Sequence, residues 1–452
     1  MRPWTAGLDL GTTSIKAVLL DPEGRIAAGA SRPAPLREVP GEGRAEFPPG
    51  AYEAAARSAL EEALRGAPGR LLLGLASQRS TVVAWNARTG RTLGPALSWR
   101  DRRLPGGWPP LTEGEVVRRT GLRLSPHYSA GKIRSLLKGR KGAGLRAAPL
   151  ASWLAWRWSG GRILAADPTL AQRTLLWNLG GSRWDPALTA AFGIPRSALP
   201  EVLSSSADYG TLRLRRRELV LGAMIGDQQA AAAALGLERG LALLNLGTGA
   251  FLLVPTGRIL RRAPGLLSAV LRSDASGTRY ALEGTVNSAG ALFDRMRRSG
   301  LGDPAREPLP PPREALGLPA CLPALAGTGA PRWDAGAGLR FVPDGGSPRA
   351  RRRAALLAVA YRLREIWDAL PRDSRPGRIL ATGGLARSEG LLQAVSDLLG
   401  VPLHRAGLEE AGALGAALLA RGEAGSPPRD PSPVLPRASR EAGYRRWRRL
   451  LR

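Results

Sequence analysis

Apolar and polar positions near the start of the chain follow the pattern of a hairpin. Residues 6–10 form a short apolar run with one acid, residues 11–14 (Gly-Thr-Thr-Ser) are small and polar, and residues 15–20 are apolar again. Short apolar runs on either side of a glycine-containing turn are typical of paired strands. We therefore predict two antiparallel strands joined by a tight turn.

The same pattern recurs in the middle of the chain. Residues 241–246 are apolar, residues 247–249 (Gly-Thr-Gly) form the turn, and residues 250–254 are apolar again. These two strand-turn-strand units lie roughly 240 residues apart. Repetition of one unit predicts a molecule built from two similar halves.

Helical spacing and a further glycine turn mark the last third of the chain. Residues 350–370 carry apolar side chains at helical spacing. Residues 378–382 read as a strand that enters the pair Gly383-Gly384, and a helix is predicted over residues 391–399. This segment is a third candidate for a turn that approaches a nucleotide or phosphate.

Two other segments lie outside these units. Residues 297–319 are rich in Pro, Gly and Arg without apolar periodicity, which predicts a surface loop. Residues 440–452 are basic and place Tyr444, Trp447 and Leu451 on one helical face. We expect a docked C-terminal helix there.

Composition limits the chemistry. The chain has 452 residues, of which 44% are apolar, one is cysteine and two are histidine. This length predicts a globular protein of two large domains or three small ones. A lone cysteine forms no internal disulfide, and two histidines are too few for a histidine-rich metal centre. Any metal is therefore held by oxygen.

The net charge is strongly basic but dispersed. The formal net charge is +29, and 62 of the 66 basic residues are arginine. Nucleic-acid-binding proteins cluster their charge and combine it with aromatic residues, so we interpret the arginines as surface composition and do not expect a nucleic-acid partner. No stretch approaches the roughly 20 apolar residues of a membrane span, and no signal peptide pattern is present. These features favour a cytoplasmic enzyme without a membrane partner.

The first turn suits a phosphate. Its backbone N–H groups and three hydroxyls are free of bulky side chains. Asp9 lies just before it, where a carboxylate can position Mg²⁺ directly or through water. The alternatives are a plain turn and a strand-end acid that bonds backbone amides. The second Gly/Thr turn favours the phosphate hypothesis, because two such hairpins can hold both ends of a polyphosphate.

A candidate base follows the apolar run 219–225. Asp227 stands at the start of an Ala-rich helix over residues 230–235 and is followed by Gln228. A carboxylate there can serve as a general base on an acceptor hydroxyl, or it can be an N-cap that accepts a backbone N–H. The Lys-bearing Walker pattern is absent from the sequence, so an ATP site would need another architecture.

Five motifs in this order resemble the FGGY carbohydrate kinase family, closest to its glycerol kinase-like members. The motifs are Leu8-Asp9-Leu10-Gly11-Thr12-Thr13-Ser14, Ser77-Gln78-Arg79-Ser80-Thr81, Gly226-Asp227-Gln228-Gln229-Ala230, Leu246-Gly247-Thr248-Gly249 and Thr382-Gly383-Gly384. The resemblance implies an α/β fold with two ribonuclease-H-like (actin-like ATPase) domains and a catalytic cleft between them. It places an N-terminal domain at 1–221, a C-terminal domain at 222–422 and a tail with a docked basic helix at 423–452.

The resemblance also implies roles for individual residues. Asp227 would be the catalytic base, and Asp9 would position Mg²⁺. ATP would be bound by Gly11, Thr12, Thr13, Ser14, Lys16, Gly247, Thr248, Gly249, Gly383 and Gly384. The acceptor would contact Gln78, Arg79, Ser80, Trp99, His127, Asp227 and Gln228. A homodimer is a further expectation at the level of the family.

The acceptor residues depart from the glycerol kinase pattern at two positions. Ser80 stands where those enzymes carry a Glu, and His127 stands where they carry a Tyr. Sites built to bond one set of hydroxyls discriminate strongly against another set. We therefore expect an ATP- and Mg²⁺-dependent kinase of a small sugar or polyol other than glycerol. The alternatives are a glycerol kinase with a modified acceptor pocket and a non-catalytic actin-like protein that binds nucleotide or sugar.

Overall fold

The computed structural model describes residues 2–39, 41–407, 410–428, 430 and 432–451. These residues form two units. The first comprises residues 2–236, 269–279 and 410–426, and the second comprises the remaining described residues. Within the described residues, no helix combines the length and apolarity that a bilayer crossing requires.

Strands and helices alternate along the chain. The strands are β1 (Thr5–Leu10), β2 (Ser14–Leu20), β3 (Ile26–Pro33), β4 (Arg37–Val39), β5 (Arg44–Phe47), β6 (Arg70–Ser77), β7 (Val82–Asn86), β8 (Ala96–Leu97), β9 (Leu145–Pro149), β10 (Ala165–Ala166), β11 (Trp177–Asn178), β12 (Arg183–Trp184), β13 (Glu201–Val202), β14 (Thr211–Leu214), β15 (Arg217–Gly226), β16 (Leu241–Leu246), β17 (Ala250–Gly257), β18 (Leu267–Asp274), β19 (Gly277–Val286), β20 (Ala320–Leu322), β21 (Arg340–Val342), β22 (Arg378–Thr382) and β23 (Leu403–Arg405). The α-helices are α1 (Pro49–Ala63), α2 (Glu113–Thr120), α3 (Ser129–Leu137), α4 (Leu150–Trp158), α5 (Pro168–Gln172), α6 (Pro186–Ala191), α7 (Asp227–Ala234), α8 (Gly290–Arg298), α9 (Pro312–Ala315), α10 (Pro348–Ala369), α11 (Glu389–Leu399), α12 (Ala411–Ala420) and α13 (Glu441–Leu450).

The main sheet of the first unit has the order β14-β15-β6-β1-β2-β3. The predicted hairpin β1-β2 is antiparallel and continues antiparallel into β3, whereas β6 and β15 run parallel to β1. Parallel strands need crossover connections, and the chain supplies them between β2 and β6 and between β6 and β15. A second sheet, of order β4-β5-β8-β7-β9, belongs to the same unit.

Helix α12 packs directly on this sheet because the strands present glycine to it. A Cβ at Gly7 would lie 1.9 Å from the Ala413 carbonyl oxygen, and one at Gly74 would lie 1.9 Å from that of Ala416. Gly7 and Gly74 are register partners on β1 and β6. Close approach of two backbones requires residues without a side chain. The glycines therefore allow α12 to pack directly on β1 and β6.

The second six-stranded sheet repeats this topology. Its order is β18-β19-β17-β16-β22-β23. The antiparallel hairpin β16-β17 continues antiparallel into β19, and β22 and β23 run parallel to β16. The two similar halves predicted from the repeated hairpin are thus confirmed, each with an antiparallel meander followed by parallel strands.

The C-terminal helix α13 belongs to the core of the second unit. Tyr444, Trp447 and Leu451 are buried there with helix α10, and the Trp447 indole N–H donates to the Cys321 carbonyl at 2.7 Å. The three side chains share a face, as their spacing predicts. The helix is held by apolar burial and leaves Arg445, Arg448 and Arg449 exposed.

The unit boundary differs from the predicted one. The chain leaves the first unit after residue 236 and not after residue 221. β15 continues as a central strand to Gly226, and α7 packs against α12, with a Cβ at Gly415 lying 1.8 Å from the Ala230 carbonyl oxygen. Asp227 therefore belongs to the first unit. The tail is also divided, since residues 423–426 lie with the first unit and the described residues from 427 onward with the second.

The stretch predicted as a surface loop is partly regular. Helix α8 extends to Arg298, a 3-10 turn covers Pro304–Arg306 and α9 covers Pro312–Ala315. These short elements begin at proline residues with Asp303 capping the first of them. Prolines are tolerated in a first helical turn, so a Pro-rich sequence here forms helix starts as well as loop.

Candidate active site

The carboxyl ends of three neighbouring parallel strands meet in the first unit. β1, β6 and β15 lie side by side with their last residues in register. The chain leaves them at Gly11, Gln78 and Asp227. Ligands of open α/β sheets bind at this edge. The strand order thus brings together three motifs that are far apart in the sequence.

The turn after β1 is anchored from one side. The Tyr52 hydroxyl donates to the Gly11 carbonyl at 2.7 Å, and the Trp99 indole N–H donates to the Thr12 hydroxyl at 2.8 Å. Thr13 is exposed. The turn is therefore held rigidly while one of its hydroxyls faces outward, which is the arrangement that an incoming phosphate requires.

Gln78 lies beneath this turn. Its Nε2 donates to the Gly11 carbonyl at 3.1 Å and to the Tyr52 hydroxyl at 3.4 Å. Its Oε1 accepts from the hydroxyls of Thr81 at 2.9 Å and Thr12 at 3.5 Å. The side chain is 1% exposed. The sequence grouped Gln78 with the acceptor contacts, and in the structure its hydrogen bonds support the turn after β1.

Asp9 is half-buried, and one of its carboxylate oxygens is buried and unused. Its Oδ1 has no hydrogen-bond partner within the described part of the chain. Burial and the nearby Asp227 carboxylate raise the pKa of Asp9 to about 7, opposed by Lys16, its register partner on β2. On the other side, a Cβ at Gly412 would lie 2.3 Å from Oδ2. The start of α12 therefore packs on the carboxylate itself.

These features fit a divalent cation. Mg²⁺ takes oxygen ligands, keeps several waters and is commonly bound by one or two protein carboxylates together with substrate phosphates. Asp9 offers a free carboxylate oxygen in a place where negative charge is disfavoured. Among the described residues, no three Asp, Glu, His or Cys side chains form a metal-binding group. A cation here would thus rely on Asp9 and on phosphate oxygens.

Asp227 opens helix α7 and pairs with Arg79. The N-cap is Gly226, so Asp227 is the first helical residue, and its Oδ1 accepts from the Gln228 N–H at 2.8 Å. The Arg79 Nε lies 3.5 Å from Oδ1, and Arg79 also donates to the Gln228 side-chain oxygen. Asp227 is 36% exposed, whereas Arg79 is 9% exposed. An accessible carboxylate is thus held by a buried guanidinium.

The strand end before Asp227 is fixed by residues that sequence reasoning missed. The Gly226 N–H donates to the Thr169 hydroxyl at 2.7 Å, and that hydroxyl donates to Asp167 at 2.8 Å. Asp167 also accepts from the Ser205 hydroxyl at 2.7 Å. Burial raises the pKa of Asp167 to about 6. The only local signal is Asp167-Pro168, which marks a helix N-cap and says nothing of the contact to Gly226.

Ser80 turns its hydroxyl into the protein. It is 3% exposed, has a φ of 64° and donates from Oγ to the Arg173 carbonyl at 3.3 Å. A positive φ is uncommon for a residue with a side chain and is worth explaining. Where the glycerol kinase pattern has a carboxylate, this chain thus has a short, inward-facing hydroxyl.

Trp99 and His127 form an aromatic wall. Their ring centroids lie 5.3 Å apart, and the His127 ring meets Tyr128 edge-on at 5.2 Å. The Arg100 guanidinium lies 5.2 Å from the Trp99 ring centroid. Trp99 and His127 are half-buried. Aromatic faces beside hydrogen-bonding side chains are typical of small-molecule sites.

The turn after β16 in the second unit rests on a helix N-terminus. The backbone N–H of Gly290 donates to the Gly247 carbonyl at 3.0 Å, and that of Ala291 donates to the Thr248 carbonyl at 3.0 Å. A Cβ at Gly249 would lie 2.8 Å from the Val286 carbonyl oxygen. Thr248 itself is exposed. As in the first unit, the turn is fixed on its inner side and open on the other.

Gly383 and Gly384 follow the neighbouring parallel strand β22. Gly383 has a φ of 87°, and a Cβ there would lie 2.5 Å from the Leu246 carbonyl oxygen. Gly384 has open space around its Cα. Both glycines are exposed. Glycine is therefore required at 383 by conformation and contact, while at 384 it leaves room for a flat group to approach.

The arrangement provides parts that phosphoryl transfer uses. The first unit brings together Asp9, Lys16, the turn 11–14, Asp227 and the acceptor candidates. In the second unit, the pairing of β16 with β22 brings the turn 247–249 close to Gly383, although the two strands are far apart in the sequence. Catalysis of phosphoryl transfer depends on positioning and charge neutralisation more than on covalent chemistry by the protein. The anchored turns, the Asp9 carboxylate with its unpaired oxygen and the accessible Asp227 carboxylate are suited to both tasks.

Comparison with known proteins gives matches over nearly the whole chain. The N-terminal domain of the FGGY family of carbohydrate kinases matches residues 4–233, and the C-terminal domain of that family matches residues 242–421. A glycerol kinase from Thermus brockianus is 39% identical over 482 residues, covering 98% of this chain and 97% of that protein. A glycerol kinase from Gloeobacter violaceus is 38% identical over 441 residues, covering 91% and 86%.

Solved structures match the fold. A glycerol kinase from Plasmodium falciparum with ADP has a TM-score of 0.85 at 22% identity and covers 99% of this chain and 97% of its own. A xyloylose kinase from Brucella ovis has a TM-score of 0.87 at 22% identity, with 99% and 98% coverage. At these identities the likeness concerns the fold alone.

Proposed function

The chain belongs to the FGGY family of carbohydrate kinases, and from this premise we propose how its residues act and which acceptors they select. The family and its curated relatives make this chain an ATP-dependent phosphotransferase with a small sugar or polyol as alcohol acceptor. The identity of the acceptor and the roles of the residues below are our proposal.

Asp227 acts as the general base. It accepts the proton of the acceptor hydroxyl while the hydroxyl oxygen bonds to the γ-phosphorus and the bond from that phosphorus to ADP breaks. The observation that carries this assignment is an accessible carboxylate held at a strand end by the buried Arg79, 3.5 Å away, and by the first turn of α7. Base catalysis requires a carboxylate within hydrogen-bond reach of the hydroxyl, in a fixed position.

Asp9 would hold Mg²⁺, directly or through water. When bound, Mg²⁺ would supply positive charge to the phosphate oxygens. The turn residues Gly11, Thr12, Thr13 and Ser14 bind the transferred phosphate with backbone N–H groups and hydroxyls. Lys16 adds a positive charge beside them.

The second unit contributes the remaining nucleotide contacts. The backbone of Gly247, Thr248 and Gly249 binds phosphate oxygens, and Gly383 and Gly384 let the chain approach the adenosine. Support comes from the turn 247–249, whose carbonyls are bound by the start of α8, and from the exposure of Thr248, Gly383 and Gly384.

The acceptor is a polyol or ketose whose hydroxyls differ from those of glycerol. Arg79, Trp99, His127 and Gln228 would contact it, while the hydroxyl of Ser80 faces the protein interior. A site without the carboxylate at position 80 lacks one acceptor for a substrate hydroxyl. Loss of such a partner penalises the substrate that needed it and admits a larger one.

The experiment is a coupled ADP-release assay across glycerol, xylulose, ribulose and erythritol. We expect a non-glycerol acceptor to have the highest kcat/KM. The double variant S80E/H127Y introduces the glycerol kinase residues at both positions. It should raise kcat/KM for glycerol, relative to kcat/KM for the best acceptor, by about tenfold or more. S276E, on an exposed turn of the chain, serves as a charge control and should leave the ratio unchanged.

The second candidate is a glycerol kinase with a rebuilt pocket. It is favoured by one observation, the 38–39% identity to two glycerol kinases. Glycerol as the best acceptor of the unmodified enzyme would establish it and overturn our choice of acceptor. Phosphorylation of none of the acceptors would count against kinase activity on this substrate class as a whole. The cytoplasmic location and the homodimer stay predictions.

A further inference from the structure

Lys132 joins the two loops that depart from the glycerol kinase pattern. It is the fourth residue of α3, and its ammonium Nζ donates to the Ser80 carbonyl at 3.1 Å and to the His127 carbonyl at 2.7 Å. Side chains on a helix lean toward its N-terminus, which lets Lys132 reach back to the loop before α3. One side chain thus binds the backbone of both positions.

The ammonium is held in the interior. Lys132 is 1% exposed, and burial lowers its pKa to about 7, partly opposed by the Asp101 carboxylate. Burial of a cation is costly unless hydrogen bonds replace its water. An ammonium has three donors, and two of them are placed on carbonyls of acceptor-loop residues. The position of this group is therefore tied to the geometry of both loops.

The Arg173 carbonyl also connects the two loops. It accepts from the Ser80 hydroxyl at 3.3 Å and from the Ser129 backbone N–H at 3.3 Å. Ser80 has a φ of 64°, and strained backbone of this kind persists only where its surroundings hold it. The bonds from Lys132 and to Arg173 are those that hold it.

We propose that Lys132 is a positioning residue that sets acceptor selectivity by fixing the backbone of Ser80 relative to that of His127. Lys132 does not touch the acceptor. This inference rests on the proposed function, in which residues 80 and 127 line the acceptor site. Selectivity depends on how hydroxyl partners are spaced, and a displacement of about 1 Å in a reacting geometry can cost about 100-fold in rate.

The test compares three variants of the full chain. K132M keeps the length of the side chain and removes both donors. K132Q keeps a shorter amide that reaches one carbonyl, and K138M removes an exposed lysine at the end of the same helix. For each, kcat/KM is measured for the two best acceptors of the unmodified enzyme, and KM is measured for ATP. Circular dichroism and thermal unfolding establish that each variant is folded.

We expect K132M to change the ratio of kcat/KM between the two acceptors by about tenfold or more, with a smaller change in K132Q. KM for ATP and the K138M ratio should stay at the level of the unmodified enzyme. If K132M does not fold, the ratio in K132Q decides. An unchanged ratio in the folded variants, whatever the fall in total activity, overturns the inference and leaves the proposed function intact. Failure of the unmodified enzyme to phosphorylate any acceptor overturns both.

Discussion

Substitution of Gly412 by alanine tests whether helix α12 positions the Asp9 carboxylate. Gly412 is the second residue of α12, and a Cβ there would lie 2.3 Å from Asp9 Oδ2 and 2.8 Å from its Cγ. Contacts of a Cβ below 3.0 Å do not occur in practice. Either the carboxylate or the helix start must therefore move by at least about 0.7 Å, and α12 is held against β1 at Gly7 by direct backbone contact.

We expect the substitution to leave the chain folded while it lowers activity. Alanine in place of glycine in a helix stabilises by up to about 1 kcal/mol. Overpacking costs about 1 to 3 kcal/mol, so we expect a net destabilisation of about 2 kcal/mol or less. A displacement of about 1 Å at the reacting centre costs about 100-fold. We therefore expect kcat to fall about 10- to 100-fold, with a higher Mg²⁺ concentration needed for half-maximal rate.

The matched control is G50A. Gly50 is also the second residue of a helix, α1, and nothing lies within 4 Å of a Cβ built there. ADP release is measured against Mg²⁺ concentration for both variants, together with thermal unfolding. A G412A enzyme with the kcat and Mg²⁺ dependence of G50A would refute the role of α12 in holding Asp9.

Two further predictions concern the hydrogen bonds behind Asp227. T169V leaves the Gly226 N–H without its acceptor, and a buried unpaired donor costs about 1 to 3 kcal/mol. We therefore expect about a tenfold loss in kcat. T169S retains the hydroxyl and should keep the unmodified rate, so equal kcat in the two variants would contradict this. For Asp167, burial raises the folded pKa to about 6, above the ordinary value of 3.8. The folded state therefore binds more protons between these pH values and loses stability as the pH rises through them. D167N does not titrate, so between pH 4 and pH 7 the difference in unfolding free energy should shift in favour of the variant by at most about 3 kcal/mol; a difference that is constant with pH, measured by urea denaturation, would argue against this pKa.

Local pattern was enough to predict the two hairpins and the glycine turns. Their apolar runs and small turn residues act over a few positions, and the strand order of both sheets follows from the same repeated unit. The family resemblance then identified Asp9 and Asp227 as candidates, and the structure brings both to the carboxyl edge of one sheet.

Contacts between distant segments were not predictable in this way. The bonds from Gly226 to Thr169 and from Lys132 to Ser80 join residues more than 50 positions apart. Hydrogen bonds of this kind leave no periodic signal, because any buried polar residue needs a partner and the sequence does not say which. Gln78 is a further example. Its motif indicated a site residue, but the sequence did not indicate that its amide donates to the Gly11 carbonyl in the turn 11–14.

The end of the first unit was not predictable for a similar physical reason. An apolar run followed by an Ala-rich helix looks the same at the start of a domain and at the end of one. β15 is placed in the first unit by its pairing with β6 and by the glycines that seat α12 on both strands. That choice depends on tertiary packing, which places Asp227 in the same unit as Gln78 and Arg79.

The most direct test of Asp227 as the general base is acceptor-dependent ADP release by the D227N variant. Asparagine preserves the shape of the side chain and the first turn of α7 but cannot accept the acceptor proton. We predict that D227N loses at least about 100-fold in kcat with each acceptor that the unmodified enzyme phosphorylates, consistent with the usual contribution of a general base. Its thermal unfolding should stay close to that of the unmodified enzyme. A folded D227N enzyme that releases ADP at the unmodified rate would contradict the assignment of Asp227 as the base.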